Sequence, residues 1–206
     1  VHPYQDGGAL CRKTGVTYMT SAIWSSIGDV VKAPVVAMKF LRKLSNAVSD
    51  MNEALQWTTP TGMIVRQEIF QTERRRVMTQ ALGSIYFSLL EETDDIDKTA
   101  MAGAFAPNFI HSYDASHLIL AVVAAKRKGI KNLHVIHDDF GTLANDTAAL
   151  VHGLKRTFID MYKGVNRLEE VLTEQEERLT TDLQLTVPPQ YGMDLELIMQ
   201  AEYPFA

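Results

Sequence analysis

Between Ile23 and Leu55 the apolar side chains recur every three or four residues, at Ile23, Ile27, Val31, Val35, Met38, Leu41, Leu44, Val48, Met51 and Leu55. That is the period of a helix with one buried face, and it predicts one long helix or two in tandem. Pro34 lacks an amide hydrogen and its ring crowds the preceding turn, so a kink or break is expected near Ala33. Trp24, beside the stripe, is expected in the core. Pro60 and Gly62 then punctuate the chain, and a region of β-branched and aromatic residues follows to Leu90. It predicts a β-hairpin or ribbon with strands around Met63 to Gln71 and Gly83 to Leu90. Glu73-Arg-Arg-Arg76 falls near its apex or on its first arm.

The acidic run Glu91 to Asp97 reads as a solvated, mobile loop. A helix is expected from Leu118, with Asp114 or Ser116 placed to cap it, basic residues in its last turn and Gly129 ending it. A short strand from Asn132 to His137 follows. Two more helices are expected, one with Leu150, Leu154, Phe158 and Met161 on one face and one from about Val165 to Leu179. Pro188-Pro189 marks a loop, and a last amphipathic turn or two surrounds Leu195 to Met199. The fold class this predicts is α+β and mostly helical.

The chain of 206 residues is 46% hydrophobic and 22% charged, an ordinary globular composition with enough apolar residues for a sizeable core. Its one cysteine, Cys11, excludes an intrachain disulfide and a cysteine-rich zinc site. No apolar run approaches a membrane span, and no membrane partner is expected. The first residues lack Met and run into a polar, Gly-containing stretch, which suggests a piece of a longer polypeptide. A net charge of −5 argues against a generally cationic nucleic-acid surface. Any such role falls to local basic patches at Arg42-Lys43, Arg74 to Arg76 and Lys126 to Lys128.

The chemistry concentrates in Val135-Ile-His-Asp-Asp-Phe-Gly141. An alternating apolar strand leads into His137-Asp138 and a tight turn, which leaves the Asp138 carboxylate exposed and able to hold a metal. The same residues also describe a hairpin tip with solvated acids. An Arg-rich ribbon fits the DNA major groove, where the guanidinium fork matches guanine. It is equally a solvated charge run.

Five segments in order resemble the C-terminal part of the single-subunit, bacteriophage-type DNA-dependent RNA polymerases of phages, mitochondria and plastids. They are Tyr18 to Trp24, Trp57-Thr-Thr-Pro-Thr-Gly62 with Gln67 and Gln71-Thr72, Ala106-Pro-Asn-Phe-Ile-His-Ser-Tyr-Asp-Ala-Ser-His-Leu118, Val135 to Thr142, and the terminal Phe205-Ala206. The resemblance runs almost end to end, and the 106–118 block is its most specific part. It implies part of a right-hand polymerase, with late fingers and a promoter-reading hairpin in residues 1–105 and the C-terminal palm in 106–206.

The resemblance makes Asp138 a catalytic ligand to Mg²⁺, one of two carboxylates around a metal pair that joins ribonucleoside triphosphates into RNA on a DNA template. His137 would support the turn and the primer end. Asp139 departs from the phage pattern, which has Ser there, and reads as an auxiliary ligand or a turn-forming acid. His111 matches a residue that touches the minor groove of the growing hybrid, and Arg74 and Arg76 lie in the promoter-reading hairpin. Ser112, Asp114 and His117 read as structural, and Phe205-Ala206 resembles the family's terminal foot.

The first palm carboxylate motif and the nucleotide-gripping fingers helix have no counterpart here, since Asp6-Gly7-Gly8 is too short a match. The chain alone is therefore not expected to polymerise, and the remaining N-terminal part of the polymerase is an implied partner, with promoter and template DNA, RNA product and ribonucleotides. The compartment implied is the host-cell cytoplasm for a phage enzyme, or the mitochondrial matrix or a plastid. Two other readings stand beside this one: a fragment of a family A DNA polymerase, whose third motif also carries His before two acids, and a noncatalytic DNA-binding module.

Overall fold

The computed structural model describes residues 9–80, 85–190 and 192–202. The start of the predicted second ribbon strand at Gly83, the Asp6-Gly7-Gly8 triplet and the terminal Phe205-Ala206 lie outside the described residues. The architecture is α+β and mainly helical, and the chain divides into two compact units after Phe40.

Helices α1 (Ala9–Val30) and α2 (Lys32–Asp50) are the predicted tandem pair, separated at Val31. The break falls just before the proline because Pro34 sits in the first turn of α2, where an amide hydrogen has no helical partner to lose. Trp24 is 62% exposed, so the expectation that it is core is corrected. Helical periodicity specifies which face is apolar but not what covers it. On the second half of α2, Leu41, Leu44 and Val48 are buried, as the stripe requires. The helix stops at Asp50, and Leu55 is a buried strand residue instead of a helical one.

The single ribbon expected over 57–90 is two antiparallel hairpins. Strand β1 (Leu55–Thr58) pairs with β2 (Ile64–Gln67) around the Pro60–Gly62 turn, and Gly62 takes a positive φ of 82° there. Strand β3 (Phe70–Thr79) pairs with β4 (Ile85–Ile96). The acidic run is therefore strand, not loop, and this too is a correction. Its partners are distant in sequence: the Asn52 side chain donates to the Asp94 carbonyl at 3.0 Å and accepts from the Ile96 amide at 2.8 Å. Arg75 on β3 reaches Glu91 at 3.2 Å. Opposite charges across a ladder offset the repulsion that a run of acids suffers alone.

The free edge of β1 is covered by side chains of α5 (Arg167–Leu179). Arg178 donates to the Ala54 carbonyl at 2.5 Å, Gln175 both accepts from the Gln56 amide and donates to its carbonyl, and Glu174 accepts from the Thr58 amide at 2.8 Å. Backbone groups that would otherwise be buried without partners or exposed to another chain are satisfied this way.

Asp97 accepts from the Ala100 amide at 2.9 Å and caps α3 (Lys98–Arg127), a 30-residue helix about 45 Å long. Asp114 and Ser116 lie inside it, so neither is its cap. The helix continues through position 105–106 and through Pro107. An interior proline costs about 3 kcal/mol. Burial of Phe105 and Phe109 on either side opposes that cost, each worth roughly 1.5–3 kcal/mol. The predicted C-terminus is found: Gly129 has φ 82°, its amide bonds the Lys126 carbonyl at 3.0 Å, and the Ile130 amide bonds that of Ala125 at 3.1 Å, a Schellman ending.

A hairpin of β5 (Leu133–Ile136) and β6 (Asp139–Thr142) follows, then a short 3-10 turn, α4 (Thr147–Tyr162), α5 and the short α6 (Leu197–Gln200). Leu150, Leu154 and Met161 are buried on α4, as their spacing predicts. No described helix is long and apolar enough to cross a membrane.

Candidate functional site

His137 and Asp138 are the two residues of the β5–β6 turn, so His137 belongs to the turn and not to the strand. A two-residue hairpin loop needs positive φ, and His137 supplies it at 54°. Histidine is among the few non-glycine residues that take this conformation with some frequency, although it still costs about 1–2 kcal/mol. His137, Asp138 and Asp139 are all exposed. Among the described residues no hydrogen bond or ion pair engages either carboxylate.

Strand alternation sorts the hairpin into two faces. Leu133, Val135 and Phe140 lie on the half-buried face, while Ile136 and its partner Asp139 lie on the exposed one. Leu133 and Phe140 pack on a cluster of Ala121 and Ala125 from α3, Ile130, and Leu150 and Leu154 from α4. The turn is thus held at the end of an anchored ribbon, with Asp138 and Asp139 exposed.

The anchor continues as a run of ring contacts. Trp57 on β1 meets Phe105 and Phe109 with centroids 5.3 and 6.0 Å apart, and Phe109 meets Tyr113 at 4.7 Å. Tyr113 stacks on Tyr162 of α4 at 6.3 Å, Tyr162 contacts Phe158 at 4.9 Å, and Phe158 and Phe140 both contact His117, at 5.6 and 6.1 Å. Burial pushes the Tyr113 phenol above its ordinary range, with Arg167 opposing the shift. The ladder joins the Trp57–Gly62 segment to the Asp138 hairpin.

Polar groups lock the same segments. The Trp57 indole donates to Ser112 Oγ at 2.9 Å, Ser112 donates to the Phe109 carbonyl at 2.7 Å, and Asn108 donates to Gln67 Oε1 at 2.9 Å. Gln67 in turn donates to the Met101 carbonyl at 3.0 Å. His111 is exposed on α3 at the rim of a groove of about 500 Å³, lined also by Met63, Arg66, Gln67, Asn108 and Ser112. Neither Asp138 nor the ribbon arginines line that groove.

Arg74 and Arg76 share one face of β3, exposed, with Arg76 lying 4.9 Å over the Tyr86 ring. Arg75 points to the opposite face, where Glu91 holds it. The predicted site residues therefore occupy a turn, a groove and a ribbon. Sequence reading gave His117 only a structural part in its own loop and helix. Its Nε2 lies 3.0 Å from the Leu154 carbonyl and its ring meets Phe140, contacts that local spacing does not reveal.

As to metal, no group of three or more His, Cys, Asp or Glu side chains able to hold one occurs among the described residues. Two adjacent, unengaged carboxylates fit a share of a Mg²⁺ shell, because that ion takes one or two carboxylates and completes its sphere with water and phosphate.

The family model for DNA-dependent RNA polymerase matches residues 7–202, and the chain belongs to that family. It is 35% identical over 183 residues to the DNA-directed RNA polymerase of Pseudomonas phage phiKMV, covering 88% of this chain and 21% of that protein. It is 31% identical to the T7 RNA polymerase of Escherichia phage T7, covering 92% of this chain and 24% of that enzyme. It is 32% identical to the chloroplastic/mitochondrial DNA-directed RNA polymerase 2 of Arabidopsis thaliana, covering 96% and 18%. The chain thus spans about a fifth to a quarter of the length of these relatives. The family match favours the RNA polymerase reading over the DNA polymerase alternative.

Proposed function

We propose that this chain supplies late fingers and C-terminal palm to a DNA-directed RNA polymerase, and that Asp138 is one of the carboxylates holding its catalytic Mg²⁺. The observation that carries the reading is Asp138 itself, exposed and unengaged on a two-residue turn whose hairpin is braced by α3 and α4, in a chain of this family. In the reaction the 3′-hydroxyl of the RNA attacks the α-phosphorus of a ribonucleoside triphosphate and pyrophosphate leaves. Bound Mg²⁺ would supply neutralisation of the charge that develops on the entering and leaving oxygens.

The chain's own residues orient the reactants. His137 sets the turn that presents Asp138. Asp139 opens β6 on the exposed face opposite Ile136. His111 faces the hybrid from α3, and Arg74 and Arg76 read promoter bases from the β3–β4 ribbon. The partner carboxylate and the nucleotide-gripping lysine come from the rest of the polymerase.

The test is Asp138→Asn in the complete polymerase, assayed for extension of a preassembled DNA–RNA scaffold. Extension is expected to fall by at least a thousandfold with scaffold affinity within about threefold of the parent. Extension at a near-parental rate would overturn the assignment.

A further inference from the structure

The C-terminal segment is held by polar contacts beside partial burial of Ile198 and Met199. None of the residues of α6 is buried, and Leu197 is 51% exposed. Lys155 of α4 is only 8% exposed, and its Nζ donates to the Ala201 carbonyl at 2.5 Å and reaches that of Met199 at 3.5 Å. At the other end of α6, Glu196 takes Lys163 Nζ at 2.5 Å and Arg156 at 3.5 Å. Helix α4 and its C-cap residue Lys163 therefore grip both ends of the segment.

The two fastenings differ in strength. The Glu196 pairs are exposed, and such pairs contribute little. A buried ammonium is tolerated only with acceptors to replace water. No carboxylate pairs with Lys155 among the described residues, so the two carbonyls carry that role, and Lys155 and the segment depend on each other. The neighbouring residue adds a connection: the Leu154 carbonyl is the group that holds His117 under the Asp138 hairpin. A single turn of α4 bears the hairpin's brace and the segment's fastening.

We propose that Lys155 is a positioning residue, the clasp that keeps residues 196–201 docked on the helix bracing the Asp138 hairpin, and that nucleotide addition depends on this docking. The dependence rests on the reading of that hairpin as part of the catalytic site. The clasp itself does not.

The experiment compares Lys155→Met and Lys155→Arg in the complete polymerase. Amide exchange of residues 196–202 is read without nucleotide, and kcat and KM for single-nucleotide addition are read separately. Lys155→Met, which keeps an unbranched chain and removes the charge, is expected to speed exchange there at least tenfold and lower kcat at least fivefold, with KM within twofold. Lys155→Arg is expected to restore both. Unchanged exchange in Lys155→Met would overturn the clasp, and faster exchange with unchanged kcat would overturn its role in catalysis. Should Lys155→Met fail to fold, Lys155→Gln, which keeps a donor but loses the charge and one bond of reach, is read instead: faster exchange supports the clasp and unchanged exchange overturns it. The Asp138→Asn result does not enter the exchange measurement, so the two readings fail separately.

Discussion

His117 and Phe140 stand ring to ring, centroids 6.1 Å apart at 65°, and join the middle of α3 to the strand leaving the His137-Asp138 turn. With His117 Nε2 at 3.0 Å from the Leu154 carbonyl, this histidine ties two helices to the hairpin that presents Asp138. His117→Ala removes the ring contact and the hydrogen bond together. A loss of about 1–3 kcal/mol is expected. Nucleotide addition should slow more than scaffold binding weakens, which thermal melting and rapid-quench extension would separate. Equal losses in both would show that the hairpin is not the element affected.

Trp57 is the other end of the ladder, almost fully buried, with its indole donating to Ser112. Trp57→Ala should cost about 3–5 kcal/mol, as a large core truncation does. Ser112→Ala leaves the indole N–H without its acceptor and should cost about 1–3 kcal/mol. Denaturant titrations of the complete polymerase would read both. A cost below 0.5 kcal/mol for Ser112→Ala would mean that the indole finds another acceptor.

The ribbon arginines divide by face. Arg74→Ala and Arg76→Ala should weaken promoter-dependent initiation at least tenfold and leave extension of a preformed scaffold within twofold, because groove reading and chemistry sit on different elements. Arg75→Ala, which only breaks an exposed pair with Glu91, should change stability by no more than about 1 kcal/mol. If extension fell as far as promoter use, the ribbon would not be the promoter reader.

The Glu196 carboxyl is held below the ordinary carboxylate range, chiefly by its hydrogen bond from Lys163; desolvation opposes the shift, and the charges of Lys163 and Arg156 add to the lowering. Asp194, whose Oδ1 accepts from the Glu196 amide at 3.0 Å, is a further charged group beside it, and Asp160 pairs with Arg156. A lowered carboxyl stabilises docking fully above its unfolded pKa of about 4.3, and that contribution is lost as pH falls through the docked value. Exchange of residues 196–202, corrected for intrinsic rates, should therefore be flat from pH 8 to about 5.5 and rise below about 4. Glu196→Gln should abolish the acid-side rise, and a rise that persists in this variant would point to another group.

Much of the fold is legible from local pattern. The helices to Asp50, the break before Pro34 and the glycine ending at Gly129 follow from periodicity and backbone stereochemistry, although the apolar stripe is buried only from Leu41 to Val48 and Ile23, Ile27, Val31 and Met38 are exposed. What local pattern misses is decided at long range. A helix start at Leu118 is suggested by Asp114 and Ser116 and by Pro107 upstream, yet burial of Phe105 and Phe109 against Trp57, and of Tyr113 against Phe109, carries one helix from Lys98. The acidic run is strand because Asn52 and the β3 ladder hold it. Trp24 is exposed, since a period reports a face and not its cover. At the candidate site, the exposed turn at Asp138 was readable from seven residues, whereas His117, Lys155 and Glu196 act through partners 23 to 46 positions away that no local spacing encodes.

The most direct measurement of metal at Asp138 is affinity cleavage, with Fe²⁺ replacing Mg²⁺ in the complete polymerase on a DNA–RNA scaffold and ascorbate and peroxide generating radicals at the bound ion. Backbone cuts are expected to cluster at residues 136–140 and to disappear in Asp138→Asn. Absence of cuts there in the parent, or cuts that persist unchanged in Asp138→Asn, would contradict the assignment of Asp138 as a metal ligand.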